Sequence, residues 1–312
     1  MTPVRELCEV LERRRVGAYH ALTLVAPGIA EGARPGQFVH LLAGQDRSFP
    51  LRRPFSIHRV ERPGAALGTV EVVLDVVGAG TLALSRLRPH DVVDALGPLG
   101  RPFDPPPEPA GCLLVGGGYG TAPLFFLATE LRVRRCRVDF VIGAATSSRL
   151  LDAMEAKRLG HSLTVATDDG SAGRRGLVTD PVGDLLARTG AARVYACGPM
   201  PMLAAVSRVA AAAGVPCQVA VEEQMACGTG ICFSCVLPVG GPGGSSLAPR
   251  SVGASGGLEP SPAGDRGSSE VTRMARSCLE GPVFDGATIA WAELGLPEPE
   301  LTRRPRSVGT CR

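Results

Sequence analysis

"MACGTGICFSCVLPV", residues 225–239, places Cys227, Cys232 and Cys235 within nine positions and interleaves them with Gly228 and Gly230. The spacing C-x4-C-x2-C, with Cys278 following at a distance, is that of plant-type [2Fe–2S] ligands. A tight loop must bring three thiolates round two irons, and small residues at 228 and 230 let the backbone approach that closely. Two other readings compete with it. Structural zinc sites usually show paired C-x2-C knuckles, and free cysteines often serve as small buried hydrophobes or redox thiols. Cys278 in "RSCLEGPVFDG" is the best fourth ligand, with Cys217 and Cys311 as alternatives. The residues between the third and fourth cysteines are no obstacle, because each doubling of a flexible loop costs only about 0.6 kcal/mol in closure entropy.

Upstream of the cysteines the chain changes character twice. The first hundred residues read as β-rich: "AYHALTLV", "GQFVHLLA", "RPFSIHRV", "GTVEVVLDVV" and "DVVDALG" are short apolar runs separated by Gly and Pro. In residues 68–77, Val70, Val72, Leu74 and Val76 alternate with Glu71 and Asp75, the period of a half-buried antiparallel strand. Such spacing predicts a small antiparallel β-barrel. Three consecutive prolines in "GPLGRPFDPPPEPAG" mark its end as a stiff linker. From Gly111, strands alternate strictly with helices: "CLLVGGG", "RVDFVIGAA", "SLTVATDDG" and "RVYACG" each lead into a helical stretch. That order means βαβ units on a parallel sheet, with "PCQVAVEE" as its last strand.

The expected organisation is therefore multidomain. A barrel occupies 1–104, an α/β domain 105–222 and a small C-terminal metal domain 223–295, with a tail at 296–312. Between 240 and 269, 20 of 30 residues are Gly, Ser or Pro, too few apolar groups to offset ordering entropy, so a disordered insertion is expected there.

Composition narrows the function classes. The 312 residues are 45% hydrophobic and 20% charged with a net charge of +3, values of a globular protein with no charge block for nucleic acid. No run approaches the roughly 18–20 apolar residues of a membrane helix. The N-terminus lacks the apolar core of a signal peptide, so a cytoplasmic location and reduced thiols are expected.

Five further stretches can hold ligands. "LLVGGGYGTAPL" puts Gly116, Gly117, Gly118 and Gly120 between a strand and a helix, where a pyrophosphate can approach the backbone. "YACGPMPML" supplies a second strand-to-helix turn with Cys197 and Gly198, and two such loops at one sheet edge define a crevice. A ligand-free βα turn and a buried core cysteine are the plain alternatives. In "RRPFSI" (52–57), Arg53, Phe55 and Ser56 could meet a flavin's pyrophosphate, ring system and reactive edge. An exposed Arg pair beside an ordinary strand explains the same residues. "VVGAGTLALSRL" sets Gly78, Gly80 and Thr81 at a helix start, a second phosphate cradle, and the acids of "ATDDGSAG" could face a ribose.

Taken in this order, the motifs resemble the electron-transfer subunits of bacterial dihydroorotate dehydrogenase B, ferredoxin reductase-like flavoproteins with a C-terminal [2Fe–2S] domain. The resembling elements, from "PGQFV" to "CLEGPVFDG", span residues 35–286, and the cysteine segment and closing C-x-x-GPVF are the most specific. The resemblance implies FAD in the barrel, on Arg53, Pro54, Phe55, Ser56, Gly78, Gly80 and Thr81. It implies NAD on Gly117, Gly118, Cys197, Gly198 and Pro199, with Ser56 and Cys197 at the chemistry, and the cluster on Cys227, Cys232, Cys235 and Cys278. It further implies a separate FMN-containing catalytic subunit, two of each forming a heterotetramer that passes electrons from dihydroorotate to NAD+ in pyrimidine biosynthesis. The long insertion departs from the family's compact loop, and Arg149 leaves NADP open. The rival within the class is the reductase subunit of another NAD(P)H-dependent flavin/iron–sulfur complex, of ferredoxin-NADP reductase or sulfide dehydrogenase type. A zinc-stapled binding protein is the rival outside it.

Overall fold

The computed structural model describes residues 2–42, 50–64, 67–240 and 272–296. The expected insertion and tail lie outside these residues, apart from Gly240 and Leu296.

Among the described residues six antiparallel strands close a barrel. They are β1 (Val4–Val16), β2 (Tyr19–Val25), β3 (Phe38–Leu42), β4 (Arg53–Glu61), β5 (Thr69–Leu74) and β6 (Val92–Leu99), in the order β1-β2-β5-β4-β3-β6. Inward residues such as Val10, Leu22, Leu24, Leu41, Ile57 and Val72 make its core. The long first strand escaped the sequence reading because its outward face is apolar as well. Leu7 and Leu11 point to solvent while Cys8 and Val10 are buried, so no clean alternation appears.

The expectation of a half-buried strand at 68–77 needs correction. β5 ends at Leu74 and is buried on both faces, whereas Val76 and Val77 are exposed. On this side the outer face of the barrel is covered by the next domain. Glu71 is buried there among Arg14 at 3.0 Å, His58 at 3.4 Å and Arg59 at 3.7 Å. The His58 ring packs edge-on against Phe125 and its Nδ1 meets the Ala122 carbonyl at 2.9 Å. Burial lowers the His58 pKa to about 4, against the pull of Glu71. An unfolded histidine titrates near 6.5, so below that pH the unfolded chain binds a proton that the folded one refuses. The stability that His58 contributes is complete above pH 6.5 and lost as pH falls towards 4. Between pH 7 and 5 the loss is about 2 kcal/mol. Urea midpoints over this range should fall more steeply for wild type than for His58→Gln.

The second unit is a seven-stranded sheet. Its strands are β7 (Gly111–Gly117), β8 (Arg137–Ala144), β9 (Ser162–Thr167), β10 (Arg174–Arg175), β11 (Arg193–Cys197), β12 (Cys217–Ala220) and a late strand, Val283–Asp285. The spatial order is β10-β9-β8-β7-β11-β12, with Val283–Asp285 at the edge. The chain runs outward from β7 through β8 and β9, then returns to lay β11 on the other side of β7. Between β7 and β11 the strand order reverses, the switch point where ligands of open α/β sheets bind.

β12 is thus not the sheet's last strand. Val283–Asp285 adds antiparallel to it, so the C-terminal segment is stitched into the α/β domain. The remaining pair, β13 (Val236–Val239) and β14 (Arg273–Arg276), is antiparallel, with Val236 opposite Arg276 and Val239 opposite Arg273. The late strand is β15.

Candidate functional site

The β13–β14 register decides the geometry of the cysteines. Cys235 directly precedes β13 and Cys278 follows β14 by two residues; the Ser277 N–H donates to the Cys235 carbonyl at 2.9 Å. Cys235 and Cys278 therefore stand side by side, both buried, with Phe38 and Leu99 of the barrel packed on them. At the other end of the hairpin from the cysteines Gly240 meets Thr272. Cys217 is instead buried in β12 with the hydrophobic core of the α/β domain. Cys311 lies outside the described residues.

Cys227 and Cys232 form the other pair. The backbone N–H groups of Thr229 and Cys232 point at the Cys227 sulfur, at 3.4 and 3.5 Å. Burial pushes that thiol up, but these donors outweigh it and bring it down to about 6. The Cys232 sulfur stands 3.2 Å from the Ser234 hydroxyl, which lowers its pKa. Burial and the neighbouring Cys235 push Cys278 up to about 12. The nine described cysteines are all free thiols. Among the described residues no three His, Cys, Asp or Glu side chains are set for a single metal ion; the thiols stand as two pairs. Backbone N–H donors aimed at the Cys227 sulfur suit a thiolate that ligates an iron–sulfur core.

A second observation fits the same group. His40 on β3 is fully buried, packs on the loop at Gly228, and neither ring nitrogen has a hydrogen-bond partner. An unmade hydrogen bond of this kind costs roughly 1–3 kcal/mol.

Between the barrel and the cysteine loop lies a cleft of about 530 Å³. Arg52, Arg53, Pro54 and Phe55 line one wall and Thr81 its end; Met225, Ala226 and Ser234 of the cysteine loop close it. The Arg53 guanidinium lies against Gly80, where a Cβ would stand 2.6 Å from Nε. The Thr81 hydroxyl accepts from the Val77 and Gly78 N–H groups at 3.0 and 3.1 Å. Ser56, half-buried and paired with Phe38, does not line this cleft.

A second cleft, of about 540 Å³, opens at the switch point. Gly117, Gly118 and Tyr119 from the turn after β7 face Pro199 and Met202 after β11, with Arg149, Asp168 and Glu222 on the remaining sides. The two turns touch backbone to backbone: a Cβ on Gly120 would stand 2.7 Å from the Gly198 Cα. Gly198 and Cys197 lie beneath the cleft and do not line it; Cys197 is 1% exposed. Burial, and then the Glu222 carboxylate, push its thiol well above the ordinary value.

Tyr119 lines both clefts and so marks where they meet. Its hydroxyl donates to Glu222 at 3.2 Å and its ring packs edge-on against Tyr19. Burial raises the Glu222 pKa, although the Tyr119 hydroxyl opposes the shift; the side chain's accessible surface faces the cleft. Arg149 is paired with Asp75 and stacks 5.5 Å over the Tyr19 ring.

Residues 222–247 match the iron–sulfur cluster binding domain of dihydroorotate dehydrogenase B, and residues 114–208 match the oxidoreductase NAD-binding domain. The dihydroorotate dehydrogenase B (NAD(+)) electron transfer subunit of Desulforamulus reducens is 36% identical over 266 residues, 85% of this chain and 90% of that protein. The chain belongs to the family of dihydroorotate dehydrogenase B electron transfer subunits. The Geobacillus thermodenitrificans member is 38% identical over 76% of this chain and 90% of its own length. Among solved structures, a subunit of an NADH-dependent reduced ferredoxin-NADP oxidoreductase studied for flavin-based electron bifurcation is 30% identical. It covers 93% of this chain and 91% of its own, with a TM-score of 0.72. The ferredoxin reductase of carbazole 1,9a-dioxygenase, at 22% identity and a TM-score of 0.59, shares the fold.

Within this family frame the expected residues fall into three places. Arg53, Pro54, Phe55 and Thr81 line the barrel cleft; Gly117, Gly118 and Pro199 line the switch-point cleft; Cys227, Cys232 and Cys235 lie on one loop with Cys278 beside Cys235. Gly80, Gly198, Ser56 and Cys197 lie behind these surfaces, and Gly78 is exposed beside Thr81. Tyr119, Glu222, Ser234 and His40 were not singled out from sequence. An aromatic inside a glycine run was a readable signal for Tyr119; the other three carry no local pattern.

Proposed function

We propose that this chain carries electrons from the FMN of a dihydroorotate-oxidising partner subunit, through a [2Fe–2S] cluster and FAD, to NAD+. The observation that carries the reading is the order of the sites. The cysteine loop forms a wall of the barrel cleft, and the barrel cleft meets the switch-point cleft at Tyr119. Bound FAD supplies the exchange between single electrons on the cluster side and a hydride on the nicotinamide side.

The protein's part is to hold and screen. Cys227 with Cys232 would hold one iron, and Cys235 with Cys278 the other. Arg53 and Thr81, beside the close-packed Gly80 and the open backbone of Gly78, would hold the FAD pyrophosphate. Pro54 and Phe55 would pack on its ring, and Ser56, which does not line the cleft, would stand behind them. Gly117, Gly118, Gly198 and Pro199 would seat the nicotinamide above Cys197. Tyr119, held by Glu222 and Tyr19, would stand between the two bound cofactors where the clefts meet. Arg149 is committed to Asp75, and Asp168 lines the cleft, an arrangement that favours the unphosphorylated ribose of NAD over NADP.

Around Cys232, Ile231, Phe233 and Leu279 are exposed. An apolar rim at the exit of the electron path is suited to burial under a partner. The setting is cytoplasmic, where thiols stay reduced; no helix among the described residues is long and apolar enough to cross a membrane.

Co-expression with the FMN-containing subunit should give a complex of two of each chain. Dihydroorotate added anaerobically should bleach its flavin and iron–sulfur bands, and NAD+ should restore them. Association instead with an iron–sulfur-rich large subunit, and no response to dihydroorotate, would support the ferredoxin-NADP oxidoreductase reading that the 0.72 TM-score neighbour favours.

A further inference from the structure

His40 lies where the barrel meets the cysteine loop. On β3 its register partners are Pro54 and Leu96, and the imidazole is fully buried with Nδ1 and Nε2 both unpartnered. A neutral imidazole carries one donor and one acceptor, and buried polar groups of this kind are ordinarily paired. His58, equally buried in the same barrel, obeys the rule through Ala122 and Glu71. His40 does not, and what it faces is the loop.

Gly228, the residue after Cys227, is left-handed at φ 69. It lies so close to the ring that a Cβ there would stand 2.7 Å from Cε1 and 2.9 Å from each nitrogen. The Phe38 ring, 5.5 Å from His40, packs on Cys235 and Cys278. The imidazole thus stands between Gly228, next to Cys227, and the Phe38 ring that packs on the other thiol pair. The Ser277 hydroxyl, beside Cys278, is also buried without a partner, as are His20 Nδ1 and Ser207 Oγ elsewhere in the fold.

We propose that the His40 imidazole donates a hydrogen bond to a sulfur of the bound [2Fe–2S] cluster on its Cys227 side and so raises the cluster's reduction potential. The proposal rests on the reading of the loop as the cluster site. Reduction adds one electron to the core and makes its sulfurs more negative, so an N–H donor favours the reduced form. Burial, with Arg52 nearby, lowers the His40 pKa to about 4, which suits a neutral donor that adds no charge of its own. Because His40 belongs to the barrel, the flavin-binding unit would set the potential of the carrier that feeds it.

EPR-monitored redox titration of the full chain tests this. His40→Leu should shift the one-electron reduction equilibrium about tenfold towards the oxidised cluster, a midpoint about 59 mV more negative. His40→Gln, which keeps an N–H donor, should recover part of the shift. An unchanged midpoint in cluster-loaded His40→Leu overturns the proposal. Should the variants fail to load iron, the wild type decides. Pulsed EPR of reduced protein with 15N-histidine should show a weak nitrogen coupling. Absence of that coupling, or one as large as a ligated nitrogen gives, overturns it. A wild type with no reduced-cluster signal would instead sink the cluster assignment, and this proposal with it.

Discussion

Cys278→Ala should purify as a yellow protein that keeps its flavin and loses iron and labile sulfide to below about a tenth of wild type, because a four-thiolate core short of one ligand does not persist. The expectation comes from strand register more than from cysteine count. β13 and β14 pair over four residues, and the Ser277 N–H to the Cys235 carbonyl continues that ladder. Cys278 is delivered beside Cys235 whatever the chain does between 241 and 271. Cys217→Ala serves as the control. That thiol is buried in β12, and its own carbonyl accepts from the Gly286 N–H at 2.8 Å, so iron content should stay at the wild-type value. Reduction of the flavin by NADH should survive Cys278→Ala, whereas transfer onward to the partner should not. Full iron content in Cys278→Ala would falsify the ligand set.

Gly120→Ala should act at the opposite end of the path. Its added methyl would lie 2.7 Å from the Gly198 Cα, 2.9 Å from the Gly198 nitrogen and 2.8 Å from a Glu222 oxygen. Two of these are backbone atoms that cannot turn aside, so the turns after β7 and β11 must separate by several tenths of an ångström. Misplacement of a reacting group on that scale costs up to about a hundredfold in rate. The efficiency of NADH-driven flavin reduction should therefore fall roughly ten- to a hundredfold, with the iron–sulfur spectrum and flavin content unchanged. Stopped-flow reduction by NADH separates the two variants. An unaltered rate in Gly120→Ala would show that the nicotinamide does not use the crevice between these turns.

Much of this architecture was legible in the chain itself because it is written in local patterns. Short apolar runs marked five of the six barrel strands, and the alternation from Gly111 marked the parallel sheet. The glycine turns and the cysteine spacing each announce a chemistry through residues close in sequence. β1 was missed because Leu7 and Leu11 face outward. Glu71 was misread as solvent-facing because its cover, including His58 against Phe125, comes from elsewhere in the fold.

By itself the sequence determined the three-part order, the glycine turns and the three clustered cysteines, since each depends on neighbours within a few residues. Only the tertiary structure decided that Cys278 joins Cys235 and that β15 ties the cysteine segment into the α/β sheet. It also brought the two clefts together at Tyr119 and set His40 against Gly228. Those relations are made by strand pairing and domain packing between residues up to nearly two hundred positions apart, and no local periodicity records which distant surfaces will meet.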